Sequence, residues 1–331
     1  MNTMKWLLRR EFWEHKGGFV WAPLIAAALM VVLVGGMIGY GISTGKLDGD
    51  SVTITIGGEE VHRAGSAKIA SLADRHTRNQ IADVAANNYI ATGAPIFIVL
   101  PVVAFFYCLG ALYDDRRDRS ILFWKSLPIS DATTVLSKLV TALVLAPAIT
   151  VVIASAAAFL ILMLGGVAAS HQGLNLFGPV LSNVNLYLSP VYLLAMIPVY
   201  ILWALPCAGW LLLVSSWAKS KVFLWAVGLP LIAAVLLKWM DYLLALYGTT
   251  INADWIINNV LETLLLGLVP GAWFMDGGTA LPFRDQHGVD MLSVLSASWG
   301  SLARPELWVG AAAGVAMIVA AIRLRRWRDE G

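Results

Sequence analysis

The chain has 331 residues; 59% are hydrophobic and only 13% are charged, against about 25% charged residues in an ordinary soluble domain. Its mean hydropathy is +0.73. Neither a soluble globular enzyme nor a disordered chain can carry that much apolar surface, and a net charge of +2 gives no footing for nucleic acid. The composition predicts an all-α integral membrane protein. Cys108 and Cys207 both sit in apolar runs, which excludes a disulfide framework and a zinc cluster.

Residues 1–18 are basic and aromatic. Trp6, Leu7, Arg10, Phe12 and Trp13 recur at roughly helical spacing, with Glu11 among them. They read as an amphipathic helix lying in the inner membrane interface, its Arg and Lys near the headgroups. The alternative is a plain charged flank of the first span. Gly17-Gly18 permits a bend. The apolar run at 19–42 exceeds the about 7–15 residues of a signal-peptide core, so it predicts a retained span.

A helix needs about 20 apolar residues to cross the hydrocarbon core. Five more runs meet that length, at about 92–113, 139–164, 186–218, 222–247 and 306–322. Residues 19–331 thus read as a six-span transmembrane domain. No Asp, Glu, Lys or Arg lies between Leu139 and Ala218, and the polar segment Ser170–Asn185 divides that stretch in two. An even span count puts both termini on one side, and both are basic. That side then holds 15 of the 23 basic residues, which makes it cytoplasmic. The expectation is a multi-pass protein of the cytoplasmic (inner) membrane with both termini inside.

The outer insertion 43–91 combines strand and helix patterns. Ser51–Ile56 alternates Thr with Ile or Val, Gly57-Gly58 supplies a turn, and Glu59–His62 can return. Ala64–Tyr89 reads as a polar helix. Together they predict a small outer α/β segment between the first two spans.

The inner loop 114–131 is the most informative stretch. Asp114, Asp115, Arg116, Arg117, Asp118 and Arg119 are followed by Ile121, Leu122, Phe123 and Trp124, then by Leu127-Pro128. Charges that set register beside large apolar groups suit a docking element; an interfacial helix anchored by Trp124 is the alternative. Ser130-Asp131 can cap the next helix. The second inner loop is only Lys219-Ser220-Lys221. In the last outer segment, Gly248–Arg304, residues Ile251–Phe274 are apolar but contain Asp254, Glu262 and a Pro270-Gly271 break. This predicts a re-entrant or interfacial helical element before the last span, since a full span there would put the basic C-terminus outside.

No catalytic constellation is present. The Gly39–Leu47 stretch looks like a phosphate loop at a glance, but Tyr40 stands where Gly is required and Leu47 where Ser or Thr is required. The chain therefore carries no ATP site of its own, and no cofactor is expected on it. His15, His62, His76, His171 and His287 are scattered. Lys238 and Asp241 lie on one face of the fifth span, either paired with each other or marking an ion path; Glu262 is either structural or a second such candidate. Gly35-x-x-x-Gly39 and Gly310-x-x-x-Gly314 allow close helix contact, within the chain or between subunits. Pro190, Pro198 and Pro206 can kink the fourth span.

Two stretches, Arg-Arg-Glu-Phe-Trp-Glu-His-Lys-Gly-Gly at 9–18 and Leu-Tyr-Asp-Asp-Arg-Arg-Asp-Arg-Ser-Ile-Leu-Phe-Trp-Lys-Ser-Leu-Pro-Ile-Ser at 112–130, resemble the permease subunits of ABC-2 type exporters. The order of amphipathic helix, six spans, charged first inner loop and re-entrant element matches that layout. The resemblance implies a transporter subunit and not an enzyme. Two permeases, identical or related, would form a path through membrane lipid for an amphipathic, lipid-like or peptide cargo. Two copies of a separate ATPase subunit would dock beneath them and hold the ATP and Mg. Residues 114–131 would be the ATPase-coupling loop, its contacts drawn from the charged run and from Phe123, Trp124, Leu127 and Pro128. The 1–18 helix, with Trp6, Arg10, Glu11 and Trp13, would brace it. The first, second and fifth spans would line the path or the dimer contact, near Gly35, Gly39, Phe105, Phe106 and Leu236. Two other classes stay open: a stand-alone secondary carrier, and a non-transporting anchor or sensor that presents 43–91.

Overall fold

A computed structural model describes residues 3–45, 54–56, 59–61, 75–118, 130–277, 284–285 and 288–328. Six of its helices are long and apolar enough to cross a membrane: Gly17–Ser43, Thr77–Arg117, Asp131–His171, Val184–Trp217, Leu224–Ala245 and Pro305–Arg326. The chain thus has the build of a multi-pass membrane protein. The second and third helices are each 41 residues long, or about 60 Å at 1.5 Å per residue, twice the roughly 30 Å of a hydrocarbon core. The expected spans 92–113 and 139–164 are the middles of these longer rods. The polar helix expected at 64–89 begins, among the described residues, at Arg75 and runs on into the second span.

Proline places three of the irregular turns. The wide π turns Gly17–Trp21, Thr141–Leu145 and Leu224–Gly228 each stand just ahead of a proline: Pro23, Pro147 and Pro230. Proline has no N–H to donate and its ring crowds the carbonyl one turn back, and widening the turn relieves both. In the fourth span the interruption is at Met196, between helices Val184–Ala195 and Ile197–Trp217, with Pro198 opening the second of these. Pro190 and Pro206 lie inside helices.

The fourth helix is the centre of the bundle. Two-thirds (67%) of its most apolar stretch is buried, against 6% for that of the fifth helix. Tyr200, Trp203, Cys207 and Leu211 pack there with Phe19, Leu100, Tyr107 and Leu143. The sixth helix crosses the fourth with backbone in contact. A Cβ on Gly314 would lie 2.6 Å from the Leu205 carbonyl, and one on Gly209 would lie 2.6 Å from the Gly314 carbonyl oxygen. A Cβ on Gly310 would meet the Pro206 ring at 3.3 Å. The Gly310-x-x-x-Gly314 motif is therefore consumed inside the chain and is not left for a subunit contact.

Past Gly248 the chain forms consecutive helical turns over Ala253–Ile256, Ile257–Leu261 and Glu262–Leu266. These approach the side of the fourth helix. A Cβ on Gly267 would meet the Trp203 carbonyl at 3.1 Å, and Tyr200 Oη donates to the Leu268 carbonyl at 3.1 Å. The chain then reverses at Gly271, whose φ of +84° suits glycine. Lys238 and Asp241 do not pair with each other. Lys238 Nζ lies 2.6 Å from Asp254, and Asp241 accepts from the Ile251 backbone at 2.9 Å, because the returning helical turn brings backbone and carboxylate alongside the fifth helix.

A second cluster caps the end of the bundle remote from the termini, with Tyr89, Ile90, Leu176, Val180, Leu186 and Met291 among its members. Polar side chains stitch it. Asn183 donates to Asp83 at 2.8 Å, Asn185 to Asn87 at 3.0 Å, and Tyr89 Oη to the Leu186 carbonyl at 2.6 Å. Asp290 caps the helix Met291–Gly300. Two short antiparallel ribbons complete the described structure: Ile54–Ile56 with Glu59–Val61, and Arg284–Asp285 with Gly288–Val289.

Candidate functional site

The N-terminal helix runs Thr3–Glu14. Leu7 and Glu11, one turn apart, face the bundle and are buried, while Trp6 and Trp13 are exposed and Arg10 pairs with Glu14 at 3.1 Å. Within this helix Glu11 is turned from the outer face toward the bundle: its side chain is 1% exposed. It points inward because a cation and a phenol are waiting there. Tyr107 Oη donates to Glu11 Oε2 at 2.8 Å, and Lys138 Nζ lies 3.2 Å from Oε1.

Lys138 extends the contact. It also reaches Asp115 Oδ1 at 3.4 Å, and Arg325 takes Asp115 Oδ2 at 3.2 Å through one terminal nitrogen. The Arg325 Nε lies 3.2 Å from Asp131. The order Glu11, Lys138, Asp115, Arg325, Asp131 alternates in sign and joins the N-terminal helix to the second, third and sixth long helices. Lys138, Asp115 and Arg325 are nearly as buried as Glu11, and Asp131 is half-buried. Each isolated ion would cost several kcal/mol to desolvate, so only such mutual pairing lets the group persist.

Arg116 forms a second tie. Its guanidinium donates to the Ser215 carbonyl and, at 3.1 Å, to that of Ala218. Both are carbonyls at the end of the fourth helix, where a cation is favoured. In return Ser215 Oγ accepts from the backbone N–H of Leu112 and of Tyr113, each at 3.0 Å.

The charged run at 114–118 thus divides. Asp115 and Arg116 turn into the bundle; Asp114, Arg117 and Asp118 are exposed. Arg119, Phe123, Trp124, Leu127 and Pro128 lie outside the described residues. The segment's far end is anchored, since Ser130 Oγ accepts from Thr133 N at 3.1 Å and caps the third helix.

The five expected path residues do not form one site. Phe105 meets Phe106 edge-on at 5.6 Å and Phe223 at 6.3 Å, and the exposed Phe106 stacks on Phe223. This aromatic trio joins the second helix to the base of the fifth. Leu236 is exposed 13 residues further on, about 20 Å up the helix. Gly35 faces Leu164 of the third helix, where a Cβ would sit at 3.4 Å, whereas Gly39 opens onto empty space.

Sequence reasoning missed Lys138, Arg325 and Tyr107. A signal existed for the first: Lys138 stands immediately before eighty residues' worth of uncharged chain, and an ionisable group at such a boundary calls for a partner. Among the described residues no cluster of His, Cys, Asp and Glu is placed to hold a metal ion. No family model matches the chain, and no curated protein or solved structure matches it.

Proposed function

We propose that this chain is the membrane-spanning permease subunit of an ATP-driven ABC exporter, with ATP hydrolysed on a separate subunit. The observation that carries the reading is the clasp on Arg325. Asp115 and Asp131 stand at the two ends of the 114–131 segment, and both hold the same guanidinium. A segment whose two ends meet on the sixth helix, and which is tied through Lys138 to Glu11, would pass a push on it to four elements at once. That is what an ATPase docked under the loop requires. A loop that only covered a helix end would need no such base.

Two further features support the reading. The first and fifth long helices are mostly bare, with 17% and 6% of their most apolar stretches buried, which leaves faces for a second permease, identical or related, for lipid and for a path between the copies. Trp203, where Gly267 rests, lies 14 residues from Trp217, about 20 Å along the axis and within a core of roughly 30 Å. That depth favours a re-entrant role for 253–277. The positive-inside rule puts the ion chain and both termini at the cytoplasmic face. The cargo class that suits apolar faces of this kind is amphipathic: lipid-like or peptide.

The test is affinity purification of the detergent-solubilised chain from its native host, with an ATP-binding subunit as readout. Co-purification that disappears in Arg117→Glu with Trp124→Ala is the expected result. A stable chain that recovers no ATPase would overturn the reading and favour a stand-alone carrier or an anchor.

A further inference from the structure

At the end of the bundle opposite the ion chain, the second and third long helices continue well past the thickness of a bilayer. The level of that edge can be counted. Twenty residues of helix cover about 30 Å. Counted from Leu112, Val140, Trp217 and Ile322 beside the ion chain, they end at Thr92, Leu160, Ile197 and Leu302. The exposed Tyr242, twenty residues along the fifth helix from Val222, and the exposed Trp299, three residues beyond Leu302, fall near the same count, as an interfacial belt does. Residues Ala85–Tyr89, Ile161–Gly166 and the short helix Phe177–Ser182 all lie beyond it.

Between these three segments is a cavity of about 370 Å³, a size that holds small ligands. Ala85 and Tyr89 form one wall, Leu162 and Gly166 a second, and Phe177 and Val180 the third. The polar groups on its lining already bond within the protein. Asn88 donates to the Val84 carbonyl at 2.8 Å and accepts from Val289 N at 3.0 Å. Thr92 donates to the Tyr89 carbonyl at 2.6 Å, and the Tyr89 hydroxyl to the Leu186 carbonyl at 2.6 Å. A sugar, phosphate or peptide placed here would lose its water and gain few partners, whereas a hydrocarbon chain loses nothing.

We infer that this groove binds a single acyl chain of an amphipathic molecule, held outside the hydrocarbon core. Two observations name that occupant. The rim at Thr92 lies at the counted bilayer edge, so a chain enters from the membrane without crossing water, while its polar head stays at the interface. The floor is built from two adjacent glycines with different duties. A Cβ on Gly166 would come within 2.9 Å of the Phe177 ring, so Gly166 lets the short helix close over the groove. A Cβ on Gly165 would meet nothing within 4 Å, so a larger side chain there grows into free volume. The inference rests on membrane placement alone and is independent of the permease reading.

The experiment uses the full chain in detergent and palmitic acid carrying a diazirine at its chain end. After irradiation, adducts are mapped by mass spectrometry. Saturable labelling of Ile161–Gly166 and Phe177–Val180, competed by unmodified palmitate, is expected. Gly165→Leu should reduce it at least ten-fold. Gly300→Leu, at an exposed position outside the groove that is also free of neighbours, should leave it unchanged. Labelling that never saturates, that maps only to the bare fifth helix, or that persists in Gly165→Leu overturns the proposal. Should Gly165→Leu fail to fold, the wild-type adduct map decides. In nanodiscs, the same adducts from a phospholipid with the diazirine on its acyl chain identify bilayer lipid as the source; adducts from free palmitate alone identify a detached amphiphile. No ATPase takes part, so failure here is distinct from failure of the exporter assignment.

Discussion

Lys138 Nζ lies 3.2 Å from a Glu11 carboxylate oxygen, and the two side chains are only 4% and 1% exposed. The pair fastens a helix that precedes the first span to the start of the third. Removing Lys138 leaves the buried Glu11 carboxylate to the Tyr107 hydroxyl alone among its close buried partners, and breaking a buried ion pair costs about 3–5 kcal/mol. Lys138→Met should therefore lower the thermal unfolding midpoint in detergent sharply. Adding Glu11→Gln should recover part of the loss, so that the double variant is less damaged than the two singles together imply. Fully additive losses would show that the contact is energetically idle.

The Arg325 clasp separates stability from coupling. Lysine keeps the charge but lacks the fork that reaches Asp115 and Asp131 together. Arg325→Lys should fold with a modest loss of stability. If the chain is the exporter permease proposed above, a complex of this variant reconstituted with its ATPase should hydrolyse ATP with cargo export reduced several-fold. Unchanged export at an unchanged hydrolysis rate would remove the clasp from the mechanism.

The glycine pairs should behave oppositely. At Gly314 an added Cβ strikes the Leu205 backbone at 2.6 Å, with no flexible side chain to give way. Gly314→Ala should cost about 1–3 kcal/mol, as overpacking does. At Gly39 a Cβ meets nothing within 4 Å, so Gly39→Ala should leave the unfolding midpoint of the single chain intact. If Gly39 sits at the contact between permeases, the same variant weakens self-association, read by light scattering in detergent.

Phe105 and Leu236 test the proposed path. Phe105 packs in the aromatic trio and Leu236 is exposed on the bare fifth helix. Phe105→Asn and Leu236→Asn should each reduce export of an amphipathic cargo. Wild-type export in both would count against an apolar path at these positions.

The Asp290 cap predicts a pH dependence. The Ser293 hydroxyl holds its carboxyl below the usual value; burial opposes this, and the backbone N–H groups of Leu292 and then Ser293 add to the lowering. A depressed folded-state value means that the stabilisation is complete above the unfolded value of about 3.9 and is lost as pH falls through the lower folded value. Asp290→Ala should cost about 1 kcal/mol at neutral pH, and the gap from wild type should close in acid. A gap that widens on acidification would reverse the sign and exclude this cap as its cause.

Much of the architecture was legible because it depends on local chemistry. An apolar run of twenty residues declares a spanning helix wherever it packs, and all six were readable in that way. Ser130 announces its cap because its partner is only three residues on. The turns that widen ahead of Pro23, Pro147 and Pro230 are equally local, but only the prolines of the fourth span were singled out as kinks from the sequence. The lengths of the second and third helices were underread, because their polar extensions carry no apolar signal.

Pairing across the bundle was not legible. Glu11 and Lys138 are 127 residues apart, and whether Glu11 faces lipid headgroups or a buried ammonium depends on the rotation of one short helix. Lys238 had a carboxylate three residues away, yet it took Asp254 from a returning turn. Gly310 and Gly314 advertised a close contact but not with whom, and the Pro206–Gly209 face of the fourth helix claimed it. The sequence by itself determined which segments leave water, since that is a sum over residues. Only the tertiary structure decided which charges and which glycines meet, because those choices depend on the directions in which side chains from distant segments converge.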